Sequence, residues 1–215
     1  MNDERLQWGL LADELGFEFK PGVRGMLESK LAERIARQQG QDPDQIEAVM
    51  NNGLLMGVLD SVFLGVAIGT VRDYECYVYR NSSRGSSSGT TSNSVHVQLY
   101  FPESAGLGLS IYRERFWSKV GKFLGAQDLQ CGNEELDPLV MIKAGAADHV
   151  QALLGEPKLQ QALLGLFRFS DGFEVDDDGI EHRTHGATIL PAAEVRDLIE
   201  RMADAADDIQ PVLLD

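Results

Sequence analysis

One five-residue stretch of the chain matches a catalytic signature letter for letter. Residues 85–89 read GSSSG, the G-x-S-x-G pattern that carries the nucleophilic serine of many hydrolases. In those enzymes the pattern joins a buried strand to a helix, because the strain of that turn presents the hydroxyl group. Here residues 82–94 are almost entirely Ser, Thr and Gly, and a strand-like pattern begins at Val95. We therefore predict that Ser87 lies in a flexible Ser/Gly loop over 82–94, between two strands, and has no catalytic role.

A second group of chemically capable side chains surrounds a Gly-Asn turn in the segment QDLQCGNEELDP. Asp128, Asn133, Glu134 and Asp137 are the candidate binding residues of the chain, because carboxylate and amide oxygens could bind a cation or a partner protein. The alternative is a tight connection in which Asp137 caps a turn and the Glu side chains face water. Asn, Asp and Gly are what such turns need on backbone grounds alone, so the turn interpretation is favoured.

The histidines and the other short motifs lack the spacing that metals and cofactors require. His182 and His185 are three residues apart on a predicted strand, where an odd spacing places side chains on opposite faces. The DDDG run at 176–179 lacks the spacing of a calcium-binding loop. The GLGLS run at 106–110 lacks the third glycine of a dinucleotide fingerprint. The sequence therefore predicts no catalytic residue, no metal site and no cofactor.

The elements that would position these residues follow from the hydrophobic periodicity. Residues 1–53 carry helical stripes, beginning with Trp8 and Leu11, and predict a mainly helical N-terminal part. From Val66 to Ile142 apolar and polar residues alternate, which is typical of antiparallel strands with one face towards solvent. On that pattern Val97 and Leu99 face the core and His96 and Gln98 face water.

The C-terminal third returns to helices, with one hairpin among them. Two short helices are predicted, the second beginning at Pro157, and a final helix begins at Pro191. Between them the stretch GFEVDDDGIEHRTHG predicts a hairpin that turns at Asp178-Gly179, since Asp-Gly tolerates positive φ angles.

The apolar stretch LLMGVLDSVFLGVAIGTV, residues 54–71, tests whether the chain enters a membrane. It is just long enough to raise that question. Asp60 lies inside it, glycine recurs three times, and no basic cluster flanks it. We expect its second half to begin a buried strand and membrane insertion not to occur. The N-terminus shows no signal-peptide pattern, so the expected location is the cytoplasm.

The charge of the chain excludes one large class of partners. The net charge is −15, and residues 170–215 hold thirteen acids against three bases. A surface of that sign repels phosphate backbones and anionic lipid, so we expect no nucleic-acid partner. Another protein is the expected partner, and the oligomeric state is not determined by the sequence.

Several segments together resemble a family of uncharacterised bacterial proteins. They include WGLLADELGFEF, with its W-x-x-L-A start, LGLSIYRERFWSKVGKFLGAQDLQCGNEELD and VMIKAGAADHVQALL. The family signature is close to D-apolar-x-T-G-D-x-x-F-D, and this chain carries Cys131, Asn133 and Leu136 in place of Thr, Asp and Phe. The resemblance implies a shared architecture and a bacterial source but no activity, and the three replacements weaken any metal role at the turn.

Taken together, these patterns predict a single α+β domain over residues 1–215. Its expected core is a mainly antiparallel sheet of about six strands with helices packed on one face. The favoured function is a non-enzymatic cytoplasmic binding or interaction domain, and a membrane protein is one partner beside which it could work. The alternative is a small-molecule-binding protein or enzyme with a pocket between sheet and helices.

Overall fold

A computed structural model describes residues 2–22, 25, 64–84, 91–113 and 129–215. Several sequence predictions lie outside these residues. They are most of the mainly helical N-terminal part, residues 54–63 of the apolar stretch, Ser87 and Asp128.

The described residues form four helices and eight strands. In chain order they are α1 (Asn2–Leu15), β1 (Glu18–Pro21), β2 (Gly65–Val71), β3 (Tyr74–Arg84), β4 (Thr91–Tyr100), β5 (Ser110–Tyr112), β6 (Met141–Lys143), α2 (Ala147–Leu153), α3 (Pro157–Phe169), β7 (Phe173–Asp176), β8 (Gly179–His185) and α4 (Ala192–Leu213).

The eight strands form one sheet in the order β1-β2-β3-β4-β8-β7-β5-β6. The pairs β1–β2, β7–β8, β5–β7 and β5–β6 are antiparallel. The predicted α+β class with an antiparallel sheet is confirmed, but the sheet has eight strands rather than about six. One of the additional strands is β1, whose four residues are too few for alternation to identify.

Contacts between residues divide the chain into two compact units. The first comprises residues 1–70, 76–97 and 184–196, and the second comprises residues 71–75, 98–183 and 197–215. The single-domain organisation stays a prediction.

The first unit is built around α1 and the strands next to it. Trp8, Leu11 and Ala12 are buried at helical spacing on α1, and Val66 and Ala67 of β2 are also buried. Glu4 on the same helix accepts a hydrogen bond, 3.1 Å long, from the buried guanidinium group of Arg80. Because Arg80 is almost fully buried, this ion pair also tethers α1 to β3.

The second unit has its core on α3 and the greater part of α4. Leu159, Leu163 and Phe167 are buried on α3 at spacings of four residues. On α4, Met202 and Ile209 are among the buried residues. Each such side chain contributes about 2 kcal/mol by leaving water, so these helical stripes account for much of the unit's stability.

The β7–β8 hairpin turns one residue earlier than the sequence predicts. Asp176 pairs with Gly179, which makes Asp177 and Asp178 the turn residues. The Asp176 carboxylate accepts hydrogen bonds from the backbone N–H groups of Asp178 (2.8 Å) and Gly179 (3.0 Å) and so closes the turn itself. Gly179 is needed for another reason, because a Cβ atom there would collide with the carbonyl oxygen of Leu99.

The polar face of β4 does not face water, and that prediction is wrong. His96, Gln98 and Tyr100 are each exposed by 4% or less. His96 shares a hydrogen bond with Ser94 and stacks on Tyr79, and Gln98 accepts one from the Tyr100 hydroxyl group. Because polar groups with partners cost little to bury, alternation of polar and apolar residues does not by itself define a wet face.

The structure also bears on the Ser/Gly loop and the apolar stretch. β3 continues to Arg84 and β4 begins at Thr91, so both ends of the predicted loop over 82–94 belong to strands and its predicted bounds are wrong. The segment containing Ser87 is followed by a strand and not by the helix that follows a nucleophilic serine in hydrolases. Residues 65–71 form β2, whose first residues are buried, as predicted. No helix in the described ranges combines the length and the apolar character needed to cross a bilayer.

Candidate functional site

The predicted binding loop forms a compact turn in which most of its polar atoms bond to the backbone. The carboxylate of Asp137 accepts hydrogen bonds from the N–H groups of Cys131 (2.8 Å) and Gly132 (3.1 Å). The side-chain oxygen of Asn133 accepts two more from the next residues. Glu134 is exposed. These bonds are those of a capped turn, and a binding role for the loop stays a prediction.

A residue that the sequence did not single out ties this turn to α3. The side chain of Gln160 accepts a hydrogen bond from Asn133 (3.0 Å) and donates to the carbonyl oxygens of Cys131 (3.0 Å) and Leu154 (2.7 Å). These hydrogen bonds connect residues that are 6 to 29 positions apart, so no local sequence motif predicts them. Gln160 therefore fixes the loop in place but leaves little of it available to a ligand.

Both thiols are unsuited to nucleophilic chemistry. Burial, and then a hydrogen bond to Asp137, raises the pKa of Cys131 to about 11. Burial raises the pKa of Cys76 to about 12. Since the thiolate is the reactive form, both groups are unreactive at neutral pH.

The Gly-rich segment at 106–110 surrounds a carboxylate of the protein itself. Asp177 accepts hydrogen bonds from the N–H groups of Leu107 (3.0 Å), Gly108 (2.7 Å) and Leu109 (3.1 Å). Gly108 has a φ angle of 65°, a conformation that glycine adopts without strain. A cluster of backbone N–H groups can bind an external anion, but here Asp177 occupies it.

Two carboxylates lie side by side on β7 and β8. Glu174 and Glu181 are direct cross-strand partners, and burial, followed by the charge of Glu181, raises the pKa of Glu174. Arg183 donates to Glu181 at 3.1 Å and offsets part of this repulsion. The adjoining cavity measures about 20 Å³, which is room for one water molecule and far below the few hundred cubic ångströms of a ligand pocket.

The remaining histidine of interest is part of the core. His182 shares a 2.8 Å hydrogen bond with the Ser170 hydroxyl group and lies edge-on to the Phe173 ring. His185 at the end of the same strand is exposed. Within the ranges that the structure describes, no three His, Cys, Asp or Glu side chains are arranged to hold a metal ion.

The second unit also contains a groove of about 210 Å³ between α3 and α4, called here the α3–α4 groove. Its lining residues are Gln161, Ala162, Gly165, Leu166, Phe169, Arg201, Asp204, Ala205 and Asp208.

Two contacts show how the helices run beside this groove. Lys158, near the start of α3, pairs with Asp208, in the second half of α4, at 2.9 Å. Arg201 lies 4.2 Å from the ring centroid of Phe169, the last residue of α3. The two helices are therefore antiparallel along the groove. The sequence gives little indication of the α3–α4 groove. Its lining combines small residues and one aromatic residue, and they lie on helices about 40 residues apart along the chain.

The floor and the rim of the α3–α4 groove differ in character. A Cβ atom built on Gly165 meets nothing within 4 Å, so the space above this residue is open. Ala162 and Ala205 line the groove with small side chains, one from each helix. Phe169 stands at the rim with 45% of its surface exposed. An exposed aromatic ring beside an open trough is the feature of the second unit that points most directly to a binding partner.

Comparison with known proteins adds a likeness in fold. No model of a protein family and no curated protein matches the chain. The crystal structure of the mycobacterial trehalose monomycolate transport factor A, TtfA, is similar with a TM-score of 0.50 and 9% sequence identity, over 99% of this chain and 96% of that one. At such low identity the likeness concerns the fold alone.

Proposed function

We propose that this chain is a non-enzymatic domain that binds another protein through the α3–α4 groove. The observation that carries the proposal is the open space above Gly165 next to the exposed ring of Phe169. Covering that ring would remove apolar surface from water, a gain of about 1 kcal/mol from the exposed part alone.

The groove has the composition of an interaction hot spot. Aromatic residues and arginine carry a large share of binding energy in protein interfaces, and here the Arg201 guanidinium group lies over the Phe169 ring. A stable interface buries more than about 1,000 Å² in total. The groove is therefore the anchor of the proposed interface, and the surrounding faces of α3 and α4 supply the rest.

The fold relative is named a transport factor, but at 9% sequence identity the likeness concerns the fold and assigns no role to this chain. The cytoplasm remains the expected location.

The small-molecule alternative also stays a prediction. The observation that bears on it is the Glu174–Glu181 cavity, which has space for one water molecule.

Site-specific photocrosslinking in cells that produce the protein tests the proposal. A photoreactive amino acid at Gln161, in the groove, should give a discrete adduct with another protein. The same amino acid at Glu103, an exposed loop position outside the groove, is the control. The adduct should disappear when Gly165→Leu fills the groove. Absence of an adduct from Gln161, or equal adducts from Gln161 and Glu103, would refute a binding role for the groove.

A further inference from the structure

We infer that the occupant of the α3–α4 groove is an amphipathic helix with one apolar side chain over Gly165 and Lys or Arg side chains facing Asp204 and Asp208. This inference rests on the proposed protein-binding function and adds the conformation and the charge of the bound segment.

The dimensions and chemistry of the groove favour a helix over an extended segment. From Gln161 to Phe169 the α3 wall is about 12 Å long, at 1.5 Å per residue, which matches about two turns of a docked helix. An extended peptide needs a strand edge to pair its backbone N–H and C=O groups, and the groove is lined by helices only. A helix satisfies its own backbone, so it can lie between two others and complete a three-helix packing.

The floor of the groove specifies an apolar contact at one position. Helices pack at interaxial distances of about 8–10 Å, and closer approach needs small residues at the contact. Ala162, Gly165 and Ala205 supply them from both walls. The space above Gly165 would accept a Leu or Met side chain from the partner, which would also cover part of the Phe169 ring.

The rim specifies positive charge. Asp204 and Asp208 are four residues apart on α4, so they lie on the same face one turn apart. The Asp204 side chain is 72% exposed and the Asp208 side chain is 43% exposed. Each already pairs with one cation, Arg72 and Lys158 respectively, but a carboxylate has acceptor sites for more than one donor.

The wider charge of α4 has the same sign. The helix carries six acidic and two basic residues, so an acidic partner segment would be repelled and a basic one attracted. The same field disfavours anionic lipid as the occupant. A helix with Lys or Arg at i and i+4 would place one cation opposite each of the two aspartates.

Binding of a designed peptide tests the conformation and the charge directly. The probe is a fluorescently labelled 18-residue helical peptide of Ala, Leu and Lys, and its matched partner has Glu in place of every Lys. The Lys peptide should bind the wild-type protein with an affinity that falls as salt is added. The Glu peptide should bind with an affinity at least about tenfold lower than that of the Lys peptide. Equal binding of the two peptides would overturn the inference, and so would binding of anionic vesicles in preference to the Lys peptide.

Variants of the floor and the rim locate the binding. Gly165→Leu should weaken binding of the Lys peptide about tenfold, whereas Gly165→Ala should leave it within about twofold. Both replacements favour the helix, so circular dichroism should show folded proteins in each case. Asp204→Asn with Asp208→Asn should weaken binding severalfold and reduce its salt dependence. Undiminished binding by both the Leu and the Asn variants would place the peptide elsewhere and contradict the inference.

The crosslinked adduct separates this inference from the proposed function. Mass spectrometry of the Gln161 adduct identifies the partner segment that lies in the groove. A segment with helical periodicity and Lys or Arg at i and i+4 supports the inference. An acidic or Pro-rich segment refutes the inference but leaves protein binding intact. Failure to form any adduct removes the proposed function itself.

Discussion

The carboxylate of Asp176 offers a sharp test of how burial shapes this protein. Its environment raises its pKa to about 7, chiefly by desolvation, although two backbone N–H groups bond to it. Replacement by asparagine keeps an oxygen for both of these hydrogen bonds and removes the ionisation. Asp176→Asn should therefore stabilise the protein where the wild-type carboxylate is ionised and should have no such effect where it is protonated.

The sign and size of the effect follow from linkage. In the unfolded chain this carboxyl group ionises near pH 4, but in the folded protein it ionises near pH 7. Between these values the folded state binds more protons, so this group's contribution to stability falls as the pH rises from 4 to 7. Three pKa units correspond to about 4 kcal/mol. Because the side chain is only half-buried, we expect about 2 kcal/mol at pH 8.

Urea unfolding at pH 4, 6 and 8 measures this difference. The free energy of unfolding of Asp176→Asn should match that of the wild type at pH 4 and exceed it by about 2 kcal/mol at pH 8. Glu103→Gln, which removes one charge from an exposed loop, is the matched control and should differ from the wild type by less than about 0.5 kcal/mol throughout. A pH-independent difference for Asp176→Asn, or a loss of stability at pH 8, would refute the argument.

Three further outcomes follow from the described contacts. Cys131 and Cys76 should resist alkylation by iodoacetamide at pH 8, because their pKa values are raised to about 11 and about 12. In urea both thiols should react at once. Fast modification of the native protein would contradict this. Asp177→Ala leaves three backbone N–H groups without their acceptor and should lower the free energy of unfolding by about 3 kcal/mol. Asp177→Asn keeps one acceptor oxygen and should lower it by less. Equal losses for the two variants would show that the side-chain oxygens of Asp177 do not hold the Gly-rich segment. Glu4→Gln weakens the ion pair of the buried Arg80 and should lower the free energy of unfolding by about 2 kcal/mol, measured by thermal unfolding at pH 7. An exposed ion pair contributes roughly 0.5 kcal/mol. A smaller loss than that would show that the burial of Arg80 does not depend on Glu4.

Much of the second unit's local structure could be predicted from neighbouring residues. Pro157 marks the start of α3, and the final helix begins one residue after Pro191. The hairpin of β7 and β8 was expected, but its turn residues were not. Gly179 instead begins β8, where it lies close to the carbonyl oxygen of Leu99, 80 residues away along the chain. A local pattern carries no information about that contact.

The candidate site shows the same division. The turn at Asn133 and Asp137 was expected, because capping bonds connect residues a few positions apart. The attachment of that turn to Gln160 was not expected, and neither was the α3–α4 groove. Both arise where α3 meets partners that lie far along the chain.

The sequence by itself determined the α+β class, most of the helices and strands within the described ranges, and the strong negative charge, because these depend on short-range periodicity and on composition. Tertiary structure alone decided that polar His96 is buried, that Asp177 is the anion held by the Gly-rich segment, and that small residues of two distant helices leave an open trough beside Phe169. Burial and the approach of distant groups depend on how the whole chain packs, since each buried polar group must find a partner wherever the fold supplies one.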